Sequence, residues 1–253
     1  MSPKDLFSQT SESYAQHRPL YPKELYEWVY SKCKNFELAW DCATGNGQVA
    51  RKLGEKFSKV IATDLSAQQL QRAPSFENVQ YLCESAESSS LATQSCDLIT
   101  VAQAIHWFDF NKFYHQVSRV LKPNGILAVW VYENICINEE IDKLLYGLYE
   151  NTLGPYWDPA RKLIEEKLTS IPFPFEEIDC PVFEIRDTWN RDRFLGYLSS
   201  WSALHKYEKY IGHSPLPAFK TQLEKIWPDQ ENCEVRFPVY IRMGKIRKVY
   251  SNQ

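Results

Sequence analysis

LAWDCATGNGQVARKLGEKFSKVIATD, residues 38–64, runs in order apolar strand, acid, small-residue turn, helix, apolar strand, acid. Gly45 and Gly47 stand between strand formers and a helical pattern, where a backbone free of Cβ atoms can turn tightly and bring bare peptide groups up to a ligand. Asp41 ends the first strand, four residues before Gly45, where its carboxylate can accept hydrogen bonds from a cationic group and from nearby backbone N–H groups. Asp64 ends the second strand, placed to accept from both hydroxyls of a ribose. Two acids at two strand ends therefore serve one ligand.

Working outward, the same alternation continues. Strand patterns are expected at 38–43, 59–63, 79–83, 97–102 and 126–131, and helical patterns at 23–33, 49–57, 67–73 and 111–121. Pro22 suits a first helical turn, Ser66 is an N-cap candidate, and Lys122, Pro123, Asn124 and Gly125 read as a helix stop followed by a turn. The serine-rich stretch 85–95 reads as a short loop with one helical turn. Alternation of this kind predicts an α/β fold with a doubly wound, mostly parallel sheet and right-handed crossovers. Beyond Glu133 the alternation stops: helices are expected at 139–151, 160–169, 191–204 and 216–226, and strands at 177–186 and 235–242. Those two late strands would complete a seven-stranded sheet antiparallel, while the helices between them cap the crevice at its carboxyl edge. The expected organisation is an arm and helix over residues 1–36, a cofactor-binding core over 37–133, and a helical cap with the last two strands over 134–253.

Composition narrows the function. With 253 residues and 44% hydrophobic content, the chain can bury a sizeable core. A net charge of -3 gives no long-range pull toward nucleic acid or an anionic membrane. The one basic cluster, Arg242, Lys245, Arg247 and Lys248, reads as a solvated edge. No apolar run is long enough to span a bilayer and no signal peptide is recognisable. Seven cysteines stand singly with no CxxC pair, as expected of buried thiols in a reducing, cytoplasmic setting. His205 and His213 have no cysteine close by, so no metal site is expected.

Gly45, Asn46, Gly47, Gln48, Val49 and Ala50 match GxGxxA literally, with Asp64 downstream, which is also the dinucleotide fingerprint. A pyrophosphate, however, needs an electropositive helix N-terminus, and Asp41 just upstream would repel it. S-adenosylmethionine carries no phosphate and bears an ammonium group, so the same acid favours it. A nicotinamide-dependent oxidoreductase is disfavoured on that ground. A catalytically silent cofactor-binding domain is disfavoured because it need not keep Asp41, Gly45, Gly47 and Asp64.

Together with the downstream strings, these residues resemble the class I S-adenosylmethionine-dependent methyltransferases, and within them the small-molecule branch that includes the trans-aconitate methyltransferases. The resemblance covers nearly the whole chain and implies the Rossmann-like methyltransferase fold. The family's acidic first motif falls on residues 41–47, with Ala43 where the family has its first glycine, and Ala43 is expected to take a more ordinary backbone angle. The ribose acid falls on Asp64, with Leu65 packing near the adenine, and Ala86 and Glu87 match the next adenine contacts. DLITVAQAIHWFD, from Asp97, resembles the fourth-strand edge that faces the sulfonium and the acceptor, which implies contacts from Gln103 and Ala104 and a catalytic part for His106. RVLKPNGILAVW, from Arg119, matches a structural block, and YLSSWSALHKY, from Tyr197, a block in the cap that makes Trp201 a pocket wall. YAQHRPLYP, from Tyr14, is typical of a segment folding over the cofactor, which makes Tyr14 and Arg18 contacts. The implied partner is a small-molecule acceptor, with a monomer and a dimer equally compatible. A carboxylate acceptor of the trans-aconitate type is ionised at pH 7 and needs no base, and Arg18 or another cap cation would hold it by charge-assisted hydrogen bonds. A hydroxyl or amine would use His106.

Overall fold

The computed structural model describes residues 18–228 and 232–246, so Tyr14, Arg247 and Lys248 lie outside them. Eight strands are present among the described residues: β1 (Leu38–Cys42), β2 (Lys59–Asp64), β3 (Val79–Cys83), β4 (Cys96–Ala102), β5 (Leu121–Tyr132), β6 (Glu176–Ile178), β7 (Phe183–Trp189) and β8 (Cys233–Lys245). Their order is β3-β2-β1-β4-β5-β8-β6, with β7 also pairing β8. The first five pair parallel, while β5 and β6 each pair β8 antiparallel. This is the doubly wound, mostly parallel sheet that the alternation predicts.

The late strand expected at 177–186 is two strands rather than one. Pro181 lies in the gap between them, where a residue without an N–H cannot continue a ladder. The helix expected at 191–204 is likewise two, α7 (Arg191–Ser199) and α8 (Ser202–Ile211). At the break the Ser199 and Ser200 hydroxyls donate to the carbonyls of Gly196 and Tyr197, competing with the helical ladder. The stretch 85–95 holds no helical turn, only an isolated bridge between Ser85 and Ser88.

Two contact units divide the chain. Of the described residues, one comprises 22–132, 163–183 and 239–246, and holds β1 to β6, the end of β8, and the helices α1 (Lys23–Lys32), α2 (Gln48–Gly54), α3 (Ala67–Gln71) and α4 (Phe110–Val120). Strands β1 and β4 are buried along almost their whole length, as strands covered on both faces must be. Trp40 and Trp130 are fully buried in this unit, and the edge of the Tyr26 ring meets Trp130 at 6.4 Å. Ser66 caps α3 and Asp109 caps α4, each accepting an N–H of the first turn. Arg242, expected on a solvated edge, instead donates to the carbonyls of Leu168 and Ile171 at 2.9 and 2.7 Å and pairs with Glu177. Its guanidinium lies over the Phe173 ring.

Of the described residues, the other unit comprises 18–21, 133–162, 184–228 and 232–238, with α5 (Glu139–Tyr146), α7, α8 and α9 (Leu216–Ile226). Its interior is aromatic: Trp201 meets Trp157 at 5.3 Å, Tyr149 at 5.8 Å and Tyr197 at 5.9 Å. The Arg161 guanidinium covers Trp157 at 4.3 Å. α6 (Lys162–Glu165) is a single turn within the helix expected at 160–169. No helix among the described residues is long and apolar enough to cross a membrane.

Candidate functional site

In the order β3-β2-β1-β4-β5 the direction of winding reverses between β1 and β4, and in such sheets ligands bind outside the carboxyl ends of the strands at that point. Register aligns those ends: Cys42 sits between Thr63 and Val101, and Asp64 beside Cys83. Asp41, the turn 43–47, Asp64 and Gln103 all lie at this edge.

The turn alternates its backbone hand. Ala43, Gly45 and Gly47 all have positive φ, at 55°, 57° and 80°. Ala43 therefore keeps the left-handed conformation that a glycine would adopt, contrary to the ordinary angle expected for it. An L-residue takes that conformation at about 1–2 kcal/mol. Hydrogen bonds from the next two residues hold the segment there: Thr44 N–H donates to the Thr63 carbonyl and Gly45 N–H to Asp64, each at 2.9 Å. A Cβ on Gly45 would meet nothing within 4 Å, so the inside of the turn is open to a ligand. At Gly47 it would come within 2.5 Å of the Tyr81 hydroxyl.

Asp64 is half-buried. One carboxylate oxygen accepts Gly45 N–H and the other accepts Ser66 N–H at 2.8 Å. An ionised carboxylate offers about four acceptor positions, so capacity remains on both oxygens for a diol. Burial raises its pKa above the usual carboxylate value, against the pull of the Ser66, Gly45 and Leu65 amides. Leu65 beside it is 42% exposed, an apolar side chain standing open at the sheet edge.

Asp41 is 1% exposed, and its carboxylate is pinned by two hydroxyls. Thr44 donates to Oδ2 at 2.5 Å and Thr100 to Oδ1 at 2.8 Å. Burial pushes its pKa up to about 6, while the two threonines and the Ala50 amide pull the other way and the Asp64 charge adds to the rise. Neither threonine is marked by the sequence reading above. The signal was available: Thr100 is a hydroxyl in the middle of a strand buried on both faces, which must find an acceptor.

Gln103, just past β4, has φ of 56° and is tied to β5 twice, by its N–H to the Trp130 carbonyl and by its amide to the Tyr132 carbonyl. A strained residue anchored in this way at a strand end is the pattern that functional edges show. Ala104 is buried and leads into the 3-10 turn of Ile105–Trp107, where His106 is half-buried with its ring 4.9 Å from Trp107. Ala86 packs in the core. Glu87 accepts from the Ser85 hydroxyl and from Asp109 N–H, linking the loop after β3 to the start of α4. Arg18 is half-buried and belongs to the other contact unit. Among the described residues no group of three or more His, Cys, Asp or Glu is arranged to hold a metal. The seven cysteines are free thiols, but only Cys42 and Cys96 are buried as expected; Cys33, Cys136, Cys180 and Cys233 are half-buried and Cys83 is exposed.

The edge at the winding reversal thus carries a left-handed turn and two carboxylates, with no lysine or arginine in the turn itself. The chain belongs to the S-adenosylmethionine-dependent methyltransferase family, and S-adenosylmethionine is its cosubstrate. The methyltransferase domain matches residues 40–129, which contain the whole edge described above. A methyltransferase-family protein of Dictyostelium discoideum is 35% identical over 249 residues, covering 95% of each chain. A type II methyltransferase-family structure from Anaeromyxobacter dehalogenans is 34% identical with a TM-score of 0.84, over 90% of this chain and 97% of that one. A malonyl-[acyl-carrier protein] O-methyltransferase of Marinomonas is 31% identical over 57% of this chain and 55% of its own.

Proposed function

We propose that the chain methylates a carboxylate oxygen of a small molecule, with Asp41 and Asp64 holding the two ends of S-adenosylmethionine. The observation that carries this reading is the pair of acids around an open, phosphate-hostile turn. Asp41 would face the ammonium end and Asp64 the ribose, with Leu65, Ala86 and Glu87 on the adenine side. Gln103 and Ala104 would line the sulfonium side. A carboxylate acceptor is supported by the Marinomonas relative, whose name specifies O-methylation of a malonyl group.

The sulfonium supplies an already activated methyl group. Transfer to an ionised carboxylate oxygen would break the S–CH3 bond as the O–CH3 bond forms, turning the sulfonium into a thioether and that carboxylate group into an ester with no proton released. What the protein contributes is alignment and exclusion of water. No proton needs to move, so His106 acts as a base only if the acceptor is a hydroxyl or amine.

Two measurements test this. Asp64→Ala is expected to weaken S-adenosylmethionine binding by about 1.5–3 kcal/mol in calorimetric titration, the value of charged hydrogen bonds. Unchanged affinity would move the ribose to another strand. A screen of di- and tricarboxylates beside phenols, amines and hydroxy compounds, read as release of demethylated cofactor, is expected to score carboxylates. Turnover of the other classes alone would overturn the carboxylate reading and bring His106 into the reaction.

A further inference from the structure

We propose that Thr44 and Thr100 are positioning residues of the cofactor site, whose two hydroxyls fix both the orientation and the charge of Asp41. The inference rests on the reading that Asp41 meets the cofactor's ammonium group.

The geometry is specific. Thr100 is the direct register partner of Asp41 across the β1–β4 pair, and Thr44 reaches back from the turn three residues on, so the donors approach different oxygens from different segments. On the other side of Asp41 the register partner is Ala62, which offers nothing polar. An ionised carboxylate is an acceptor only, so both hydroxyls donate to it. Protonation would make one oxygen a donor and force one threonine to turn, so the pair favours the ionised form. The side chain is buried, and without those donors the Ala50 amide alone would be left to compensate the buried charge.

Among the described residues, groups that interact electrostatically with Asp41 include Asp64 on β2, Tyr26 and Tyr30 on α1, Tyr81 on β3 and the adjacent Cys42. All are acids, and the four neutral ones have their ionisation suppressed further by the Asp41 charge. Near neutrality, then, none of the four neutral neighbours adds charge beside Asp41, and the threonines decide how far down in pH Asp41 stays ionised.

The sign follows from linkage. A cationic ligand that needs Asp41 ionised loses affinity as pH falls through the carboxyl's titration, about tenfold per unit. Removing a donor from the charged form moves that loss to higher pH. The experiment is calorimetric titration of the full chain with S-adenosylmethionine from pH 5 to 8, for wild type, Thr100→Val, Thr100→Ser and Asp41→Asn. The midpoint of the affinity loss is expected to rise by about one pH unit in Thr100→Val, since a hydrogen bond to a charged group is worth about a unit or more. Thr100→Ser restores the hydroxyl and is expected to return the midpoint to that of wild type. A merely structural threonine would change affinity at all pH values alike. If Thr100→Val does not fold, Thr44→Val gives the same reading from the other oxygen. Weak binding by Asp41→Asn with an unmoved midpoint in the valine variant overturns this inference alone. Full-strength binding by Asp41→Asn overturns it together with the assignment of Asp41 to the ammonium.

Discussion

Asp41→Asn is expected to make the ligand-free protein more stable at pH 7 and at the same time to weaken S-adenosylmethionine binding by about 10- to 150-fold. Folding raises this carboxyl's pKa from an ordinary 3.8 to about 6, chiefly through burial. A group with a raised pKa binds its proton more tightly in the folded chain than in the unfolded one, so its contribution to stability is greatest below pH 3.8 and falls as pH rises toward 6. At pH 7 the lost contribution is about 3 kcal/mol, one pKa unit being worth about 1.4 kcal/mol. Asparagine keeps the shape and carries no charge, and a threonine hydroxyl can rotate to accept from its amide. Urea unfolding of wild type and variant should therefore differ at pH 7 and converge toward pH 4. Equal stability at both pH values would mean that the buried carboxylate costs nothing. The affinity loss has the same origin, because the charge that is expensive to bury is the one that meets an ammonium. Stability and function pull on this residue in opposite directions, as they do where a site is held in a strained or desolvated state.

The parts of this site that could be read from the sequence are those that obey local rules. Asp41 and Asp64 follow apolar runs, so their place at strand ends comes from periodicity, and Gly45 and Gly47 signal a turn because the left-handed backbone there favours glycine. Ala43 defeats the same rule. It sits at φ 55° where hydrogen bonds from Thr44 and Gly45 to Thr63 and Asp64, residues some twenty positions away, hold the turn together. Thr100 is 59 residues from its acceptor, and Arg242 is more than 70 from the carbonyls it satisfies, so neither pairing has a local signature. The late elements were blurred for a different reason. Pro181 and the serine pair at 199–200 interrupt patterns whose hydrophobic spacing alone looks continuous. Local chemistry thus delimited the ligand cradle, while the groups that tune it are supplied by the tertiary fold.

The largest loss of stability is expected far from the cradle, at the amino end of β4. Asp97→Ala should destabilise the protein by about 3–5 kcal/mol. Asp97 is 5% exposed, and one of its oxygens accepts two backbone N–H groups at the entry to β1, from Glu37 at 3.0 Å and Leu38 at 3.1 Å. The other oxygen pairs with Lys122 at 2.9 Å, at the start of β5, and Lys122 also reaches Glu37. One side chain thereby ties the beginnings of three strands that lie side by side in the order β1-β4-β5. Alanine leaves two amides without an acceptor, at about 1–3 kcal/mol each where they stay dry. The lysine is 25% exposed and can recover water, so its share of the loss is small. Asp97→Asn separates the two roles. Its carbonyl can still accept both amides, so only the ion pair goes, and a loss of about 1 kcal/mol is expected. Chemical denaturation of the two variants at pH 7 gives both numbers. A small loss for alanine would show that water replaces the carboxylate at the strand entry. Cofactor affinity, measured where both variants remain folded, should change little, because the cradle is built at the opposite ends of these strands.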